Sequence, residues 1–361
     1  MHLTQSEGPR PAPNNLRSLR LPEASELTPA WSAGICLYQL NLHNYTPEGT
    51  LSAALEHIPR IADLGVGAIW LMPVHPRGRR RPSRAASARW RGSPLPLQDP
   101  EIFDGNPYCP RDHRQLDSDL GSEEDLHRFV DAARALGLAV VQGWVPNHTS
   151  WDAPLLAEHP ECYQRGEAGQ VMQHGPWEDI ARLDYEGAGG PLLAEYMLDA
   201  RRWWVERFGV QGFREDVASS TPLGHWRWLR RQLDPDRRLL MLGECHDAKL
   251  LGPFDAIYDQ ELTPLYWQII AGDAPTESLD WKLERYAGDI GSAEGSGEGR
   301  RLRFLFNHDQ TGGAGFFAFP KWSRPRKLMT RPRAAYRCHQ RVPATWQVLG
   351  VGQHARTSRV L

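Results

Sequence analysis

Six polar residues stand where apolar runs of the chain come to an end. His148 closes LAVVQGWVPNH, Arg214 and Asp216 lie in VQGFREDVA, Glu244 in LLMLGECHD, and His308 and Asp309 in LRFLFNHDQ. Three carboxylates in such company suit glycosidic chemistry. One attacks the anomeric carbon, one carboxylic acid protonates the leaving oxygen, and a third holds sugar hydroxyls. Arg214 and Asp216 are two residues apart, which puts them on one face of a strand, where the cation would hold Asp216 ionised. Taken singly, each residue has an ordinary explanation. Arg214 and Asp216 could be a structural ion pair, Glu244 a helix N-terminal acid, and the histidines plain polar residues.

The runs that carry these residues are strands. GICLYQLNLHNY (34–45), VGAIWLMPVHP (66–76), LAVVQGWVPNH (138–148), VQGFREDVA (210–218), LLMLGECHD (239–247), FDAIYDQE (254–261) and LRFLFNHDQ (302–310) each read as a short apolar strand. Helical spacing lies between them. TPEGTLSAALEHIPRIADLG reads as one helix with Gly65 at its C-terminal cap position, and SEEDLHRFVDAARALG opens with a capping-box pattern from Ser122 to Asp125. Residues 191–209 and 223–233 supply two more helices, whose tryptophans (203, 204, 226, 228) read as packing residues. Strands alternating with helices imply a parallel sheet with right-handed crossovers, and seven such units favour a TIM-type (β/α)8 barrel over an open sheet. In a parallel barrel all strand C-termini share one rim, so residues remote in sequence converge there.

Three stretches break the rhythm. Residues 1–30 are rich in Pro, Ser and Asn and read as a disordered lead-in, and 149–190 as an irregular excursion after strand three. Residues 31–310 form the expected catalytic barrel. Beyond them, 311–361 is a basic, atypical tail: from Gln310 onward there are eight Arg, two Lys and no Asp or Glu, although the whole chain of 361 residues has a net charge of −2. Pro and Arg stand there where the eighth strand and helix are needed, so the barrel is expected to be incomplete at its eighth unit. A second basic island, residues 77–93, holds seven Arg. Both islands read as solvated surface, and no nucleic-acid partner is expected.

Composition excludes other classes. At 40% hydrophobic and 24% charged, the chain is neither disordered nor a coiled coil. No apolar run approaches the ~20 residues of a membrane helix, and the N-terminus lacks an apolar signal region. Five cysteines, an odd number without metal spacing, point to a reduced, cytoplasmic protein.

The motifs VPNHTS (145–150), GFREDV (212–217), GE (243–244) and FNHD (306–309) resemble, in order and in placement on strands, those of the α-amylase family, glycoside hydrolase family 13. YQLNLHNYTPEGT (38–50), IWLMPVHP (69–76) and NPYCPRDHRQLDSDLGSEED (106–125) resemble its first two barrel units and the link to the third. The resemblance spans roughly residues 34–310. It implies a retaining hydrolase of α-glucosidic bonds in starch- or glycogen-like oligosaccharides, or a transglycosylase on the same site. Asp216 matches the nucleophile, Glu244 the general acid/base and Asp309 the third acid. His148 and His308 match the histidines that hydrogen-bond the sugar, Arg214 the cation beside the nucleophile, and Tyr108 the aromatic platform. The acid/base role implies a raised pKa at Glu244. No cofactor is implied beyond a structural calcium that some members carry, the partner is an α-glucan, and the oligomeric state is open.

Two departures bear on activity. The family motif carries an Asp four residues before Asn147, where this chain has Gly143. The missing carboxylate is expected to loosen Arg214 and alter Asp216. The tail has no family counterpart and suggests a truncated or frame-shifted gene. An inactive relative is therefore the competing reading.

Overall fold

The chain builds eight parallel strands into a closed ring. They are β1 (Cys36–Leu40), β2 (Ala68–Leu71), β3 (Ala139–Trp144), β4 (Gly212–Glu215), β5 (Leu240–Gly243), β6 (Ala256–Tyr258), β7 (Arg300–Arg303) and β8 (Trp346–Val351). Each pairs with its neighbour in sequence order, and β8 pairs with β1 to close the ring. The computed structural model describes residues 29–32, 35–79, 105–175, 177–283, 300–304, 307–308 and 346–351. Asp309, the lead-in up to residue 28, most of the basic island, the stretch GSAEGSGEG and most of the tail lie outside the described residues.

The seven strands read from the sequence are all present. The eighth, which the sequence reading lacks, is supplied by the tail itself: Trp346 sits opposite Leu302 of β7, and Gln347 opposite Cys36 of β1. Among the described residues no helix follows β8, so the eighth unit is a strand alone there.

Strand alternation divides the core in two. Leu37, Ala68, Trp70, Ala139, Val141, Leu240, Leu242, Ala256, Tyr258, Leu302 and Phe304 fill the inside of the ring. The intervening residues, among them Tyr38, Ile69, Val140, Phe213, Met241 and Ile257, face outward and meet the helices. On β4 the same alternation sends Arg214 and Asp216 inward and Glu215 outward. There Glu215 takes a two-pronged bond from Arg201 (3.0 and 2.7 Å), with both side chains fully buried.

The expected first helix is two, α1 (Leu51–Leu55) and α2 (Ile58–Ala62). Pro59 explains the break. It has no N–H to continue α1, and it suits the first turn of a new helix. Thr50 caps α1, its side chain accepting from the Ala53 N–H. The next helix, α3 (Glu123–Ala135), carries the capping box read from Ser122 and Asp125. Then come α4 (Gly190–Phe208), α5 (Leu223–Leu233) and α6 (Leu262–Ala271). Gly209 ends α4 in the left-handed conformation (φ 66°) that glycine adopts without strain. Trp204, Trp226 and Trp228 are buried between helices and barrel, as the sequence implies. No helix is long and apolar enough to cross a membrane among the described residues.

Above the C-terminal ends of the strands, two short antiparallel ribbons form. Arg77–Gly78 pairs with Asn106–Pro110, and His148–Ser150 pairs with Ile180–Arg182 within the excursion after β3. Arg77, from the basic island, is a structural residue: buried, it binds Asp117 (2.7 Å) and Asp119 (2.5 Å).

Beneath the ribbons His113 is fully buried, with Nε2 2.8 Å from the Val145 carbonyl. Burial pushes its pKa down to about 3. In the unfolded chain it would titrate near ~6.5. Its stabilisation is therefore complete above that pH and is lost as pH falls toward the folded value. We expect His113→Gln to flatten the rise of unfolding free energy with pH by about 1.4 kcal/mol per pH unit, between about pH 4 and pH 6. Urea unfolding at a series of pH values measures this slope, and a slope equal to that of the parent chain would contradict it.

Candidate active site

Arg214 is the hub of the site. It lies on β4, fully buried, with Gly143 of β3 and Leu242 of β5 as its strand partners. Its Nη1 donates to Asp216 Oδ1 (2.6 Å), its Nη2 is 3.0 Å from Glu244 Oε2, and its Nε donates to the Tyr258 hydroxyl (3.0 Å). Aromatic rings wall the guanidinium, with Trp70 at 5.0 Å, Tyr258 at 5.3 Å and Tyr108 at 5.9 Å. Such contacts favour a desolvated cation.

Asp216 follows the last residue of β4, its own N–H donating to the Trp144 carbonyl (2.8 Å). Glu244 follows the last residue of β5. The two carboxyls meet at the same guanidinium. Burial, reinforced by the charge of Glu244, pushes the pKa of Asp216 well above the ordinary carboxylate range, and Arg214 opposes the shift. This differs from the sequence expectation in which Arg214 keeps Asp216 ionised. One guanidinium is divided between two carboxyls at a buried site, so its charge offsets the burial of Asp216 only in part.

Gly143 does not loosen Arg214. An added Cβ there would lie 2.9 Å from the Pro73 nitrogen and 3.0 Å from the Leu71 carbonyl oxygen, both main-chain atoms. The strand therefore has no room for the carboxylate of the family motif. The bracing it would supply comes from the Tyr258 hydroxyl and the Trp70 face.

Val217, next to Asp216, holds φ 41° and ψ 50°, a left-handed conformation that costs a β-branched residue on the order of 1–3 kcal/mol. The Val217 N–H donates to Glu244 Oε2 (2.8 Å). Asn147 ties the other side: its amide donates to the Asp216 carbonyl (3.1 Å), as expected of a residue that fastens the loop.

His308 reaches the same pocket from beyond β7. Its ring stacks on Tyr108 (5.1 Å, 2° between planes), and its Nδ1 lies 2.5 Å from the Gln39 amide nitrogen of β1. Burial, then Arg214, lowers its pKa to about 3, so the ring is neutral at ordinary pH. Accepting from Gln39 places its proton on Nε2. His148 is not at the end of β3 but four residues past it, in the excursion ribbon. Both of its ring nitrogens face protein oxygens, the Asn147 side chain and the Tyr108 carbonyl (2.7 Å). Burial lowers its pKa to about 4, and a neutral ring donates through only one nitrogen. His148 thus contacts the Tyr108 main chain where the sequence reading has it contacting sugar. Beside it stands Trp177, its ring 6.3 Å away and 37% exposed, stacked on His174.

The structure therefore gathers Tyr108, Arg214, Asp216, Glu244 and His308, sets His148 behind Tyr108, and leaves Asp309 outside the described residues. The sequence reading missed Gln39, Trp70, Tyr258 and Trp177. Tyr258 had a signal: it is the last residue of β6, the same strand-end position as the others. Among the described residues no cluster of three His, Cys, Asp or Glu side chains could hold a metal ion.

The family model for the alpha amylase catalytic domain matches residues 32–167. The chain is 31% identical over 206 residues to an alpha-1,4-glucan:maltose-1-phosphate maltosyltransferase of Salinibacter ruber, covering 54% of this chain and 30% of that protein. It is 26% identical to the alpha-amylase MalA of Haloarcula japonica, covering 78% and 40%. The chain thus spans well under half the length of these curated relatives. Among solved structures, an alpha-amylase from Lactobacillus plantarum superposes with a TM-score of 0.68 at 25% identity, covering 89% of this chain and 71% of the other. The maltogenic alpha-amylase AmyB of Thermotoga neapolitana gives 0.61 at 29% identity, covering 77% and 60%.

Proposed function

We propose, from the match to the alpha amylase catalytic domain and from the geometry of the site, that the chain is a retaining enzyme of the α-amylase family acting on α-glucosidic bonds. The observation that carries this reading is the sharing of one buried guanidinium by two carboxyls at adjacent strand ends. Both carboxyls are drawn to the same guanidinium, at 2.6 and 3.0 Å, and this close pairing supports retention over inversion.

In the first step an Asp216 oxygen bonds to the anomeric carbon as the glycosidic bond breaks. A proton passes from the Glu244 carboxyl to the departing oxygen. In the second step Glu244 takes a proton from an incoming hydroxyl, that oxygen bonds to the anomeric carbon, and Asp216 leaves as carboxylate. Two inversions restore the original configuration. Tyr108, stacked on His308, offers an aromatic face to the sugar, and the Nε2–H of His308 a donor to a hydroxyl. His148 acts through Tyr108 by fixing its main chain.

Water as the incoming hydroxyl makes a hydrolase, and a sugar makes a transglycosylase. The likeness to maltosyltransferases supports keeping the second reading. Proton NMR of maltooligosaccharide turnover tests the proposal. The first-formed product is expected to be the α-anomer, and added glucose or maltose divides the two readings by capturing glycosyl units only in a transferase. A first-formed β-anomer, or no turnover, overturns it.

A further inference from the structure

A hydrogen-bond donor, the Val217 N–H, and a cation, the Arg214 guanidinium in an ion pair outside hydrogen-bond geometry, converge on one oxygen of Glu244. The Val217 N–H lies 2.8 Å from Oε2, and Arg214 Nη2 lies 3.0 Å from the same atom. A proton on Oε2 would point into one of these N–H groups, since neither can accept. The Val217 donor is not there by default. The residue is β-branched and is held at φ 41°, a strained conformation at the very peptide that donates to Glu244. A backbone strained at this point, immediately after one catalytic carboxyl and bonded to the other, couples their positions more rigidly than any side chain could.

We propose that the strained Val217 peptide is a positioning element for the acid/base, occupying Glu244 Oε2 together with Arg214 so that the transferable proton resides on Oε1. This rests on the retaining reading above and adds the atom that serves the leaving group. Oε1 gives its proton to the departing oxygen in the first step and recovers one from the incoming hydroxyl in the second. Among the described residues the charged and titratable neighbours of Glu244 are Arg214 on β4, Asp216 just after it, His308 from beyond β7, and Cys245 beside it. Of the two contacts on Oε2, only the main-chain N–H can be removed without altering that set.

The test replaces the Val217 N–H by an ester oxygen, with Val217→Pro as an encoded counterpart that removes both the donor and the left-handed conformation. Circular dichroism reports folding, and the ester carries the test if the proline variant does not fold. Two substrates are compared, a maltooligosaccharide whose departing hydroxyl needs a proton and an α-glucoside with a dinitrophenolate leaving group that does not. The ester variant is expected to lose about 10–100-fold in kcat on the former and much less on the latter. A donor to the carboxylate favours its ionised form, so its removal moves the alkaline limb of kcat/KM to higher pH. Equal losses on both substrates, or no loss with an unmoved limb, overturn the proposal. If the parent chain cleaves neither substrate, the functional reading fails by itself. The 13C-detected titration of the Glu244 carboxyl then decides the positioning role, through its displacement toward higher pH in the ester variant or its constancy.

Discussion

Asp216→Asn is expected to lower kcat on a maltooligosaccharide by a factor on the order of 10⁴ while leaving the chain folded. The amide has the size of the carboxyl, and its oxygen can still accept from Arg214 Nη1 at the site of the 2.6 Å bond. What disappears is the only charge able to form a bond to the anomeric carbon. Stability should move the other way. A carboxyl whose folded pKa is raised stabilises fully below its unfolded pKa, and that contribution is lost as pH rises through the folded value. At neutral pH Asp216 is therefore a burden on the fold, and the Asn variant should melt no lower than the parent. Reducing-sugar release and thermal unfolding of the same preparation measure both effects. Equal turnover in parent and variant would remove Asp216 from the chemistry.

Gly143→Asp, which restores the acid of the family motif, is expected to damage the fold. The new Cβ would meet the Pro73 nitrogen and Cδ at 2.9 Å and the Leu71 carbonyl at 3.0 Å, and main-chain atoms at the end of β2 cannot swing aside. The carboxyl would then enter an interior already occupied by the Trp70 ring against Arg214. Overpacking together with an extra buried charge costs roughly 3–5 kcal/mol. A fall in melting temperature and in soluble yield, with activity lost in proportion to folded protein, is the expected result. A variant that melts like the parent and turns over faster would mean that the strand can accept the acid, and that Tyr258 and Trp70 do not stand in for it.

These two variants also show what the sequence makes legible. The motif residues announce themselves because each is a polar residue ending an apolar strand, and a parallel ring leaves such ends nowhere to go but one rim. Asp216, Arg214, Glu244 and His308 meet for that reason. The state of the carboxyls is less visible, since Asp216 is raised by burial, which no local pattern encodes. The bracing of Arg214 is hidden for a similar cause: Tyr258 and Trp70 act across the barrel interior, at a range where only the ring's closure sets distances. His148 is misread by position. Pro146 and its neighbours carry the chain past β3, and the imidazole is spent on Tyr108 and Asn147. The break between α1 and α2 was legible in Pro59, but hydrophobic spacing masks it. β8 escaped notice because a short strand set among arginines and prolines carries no polar residue that marks a site.

The pairing of β8 with β1 has a further consequence for how the molecule is made. A ribosome delivers β1 long before β8, and their hydrogen bonds cannot form until residue 351 has emerged. Until then the nascent ring presents two unpaired strand edges, ready to recruit other chains. Slow translation toward the 3′ end, or scarcity of chaperones that mask such edges, should therefore reduce the yield of native protein even where every residue of the active site is already synthesised.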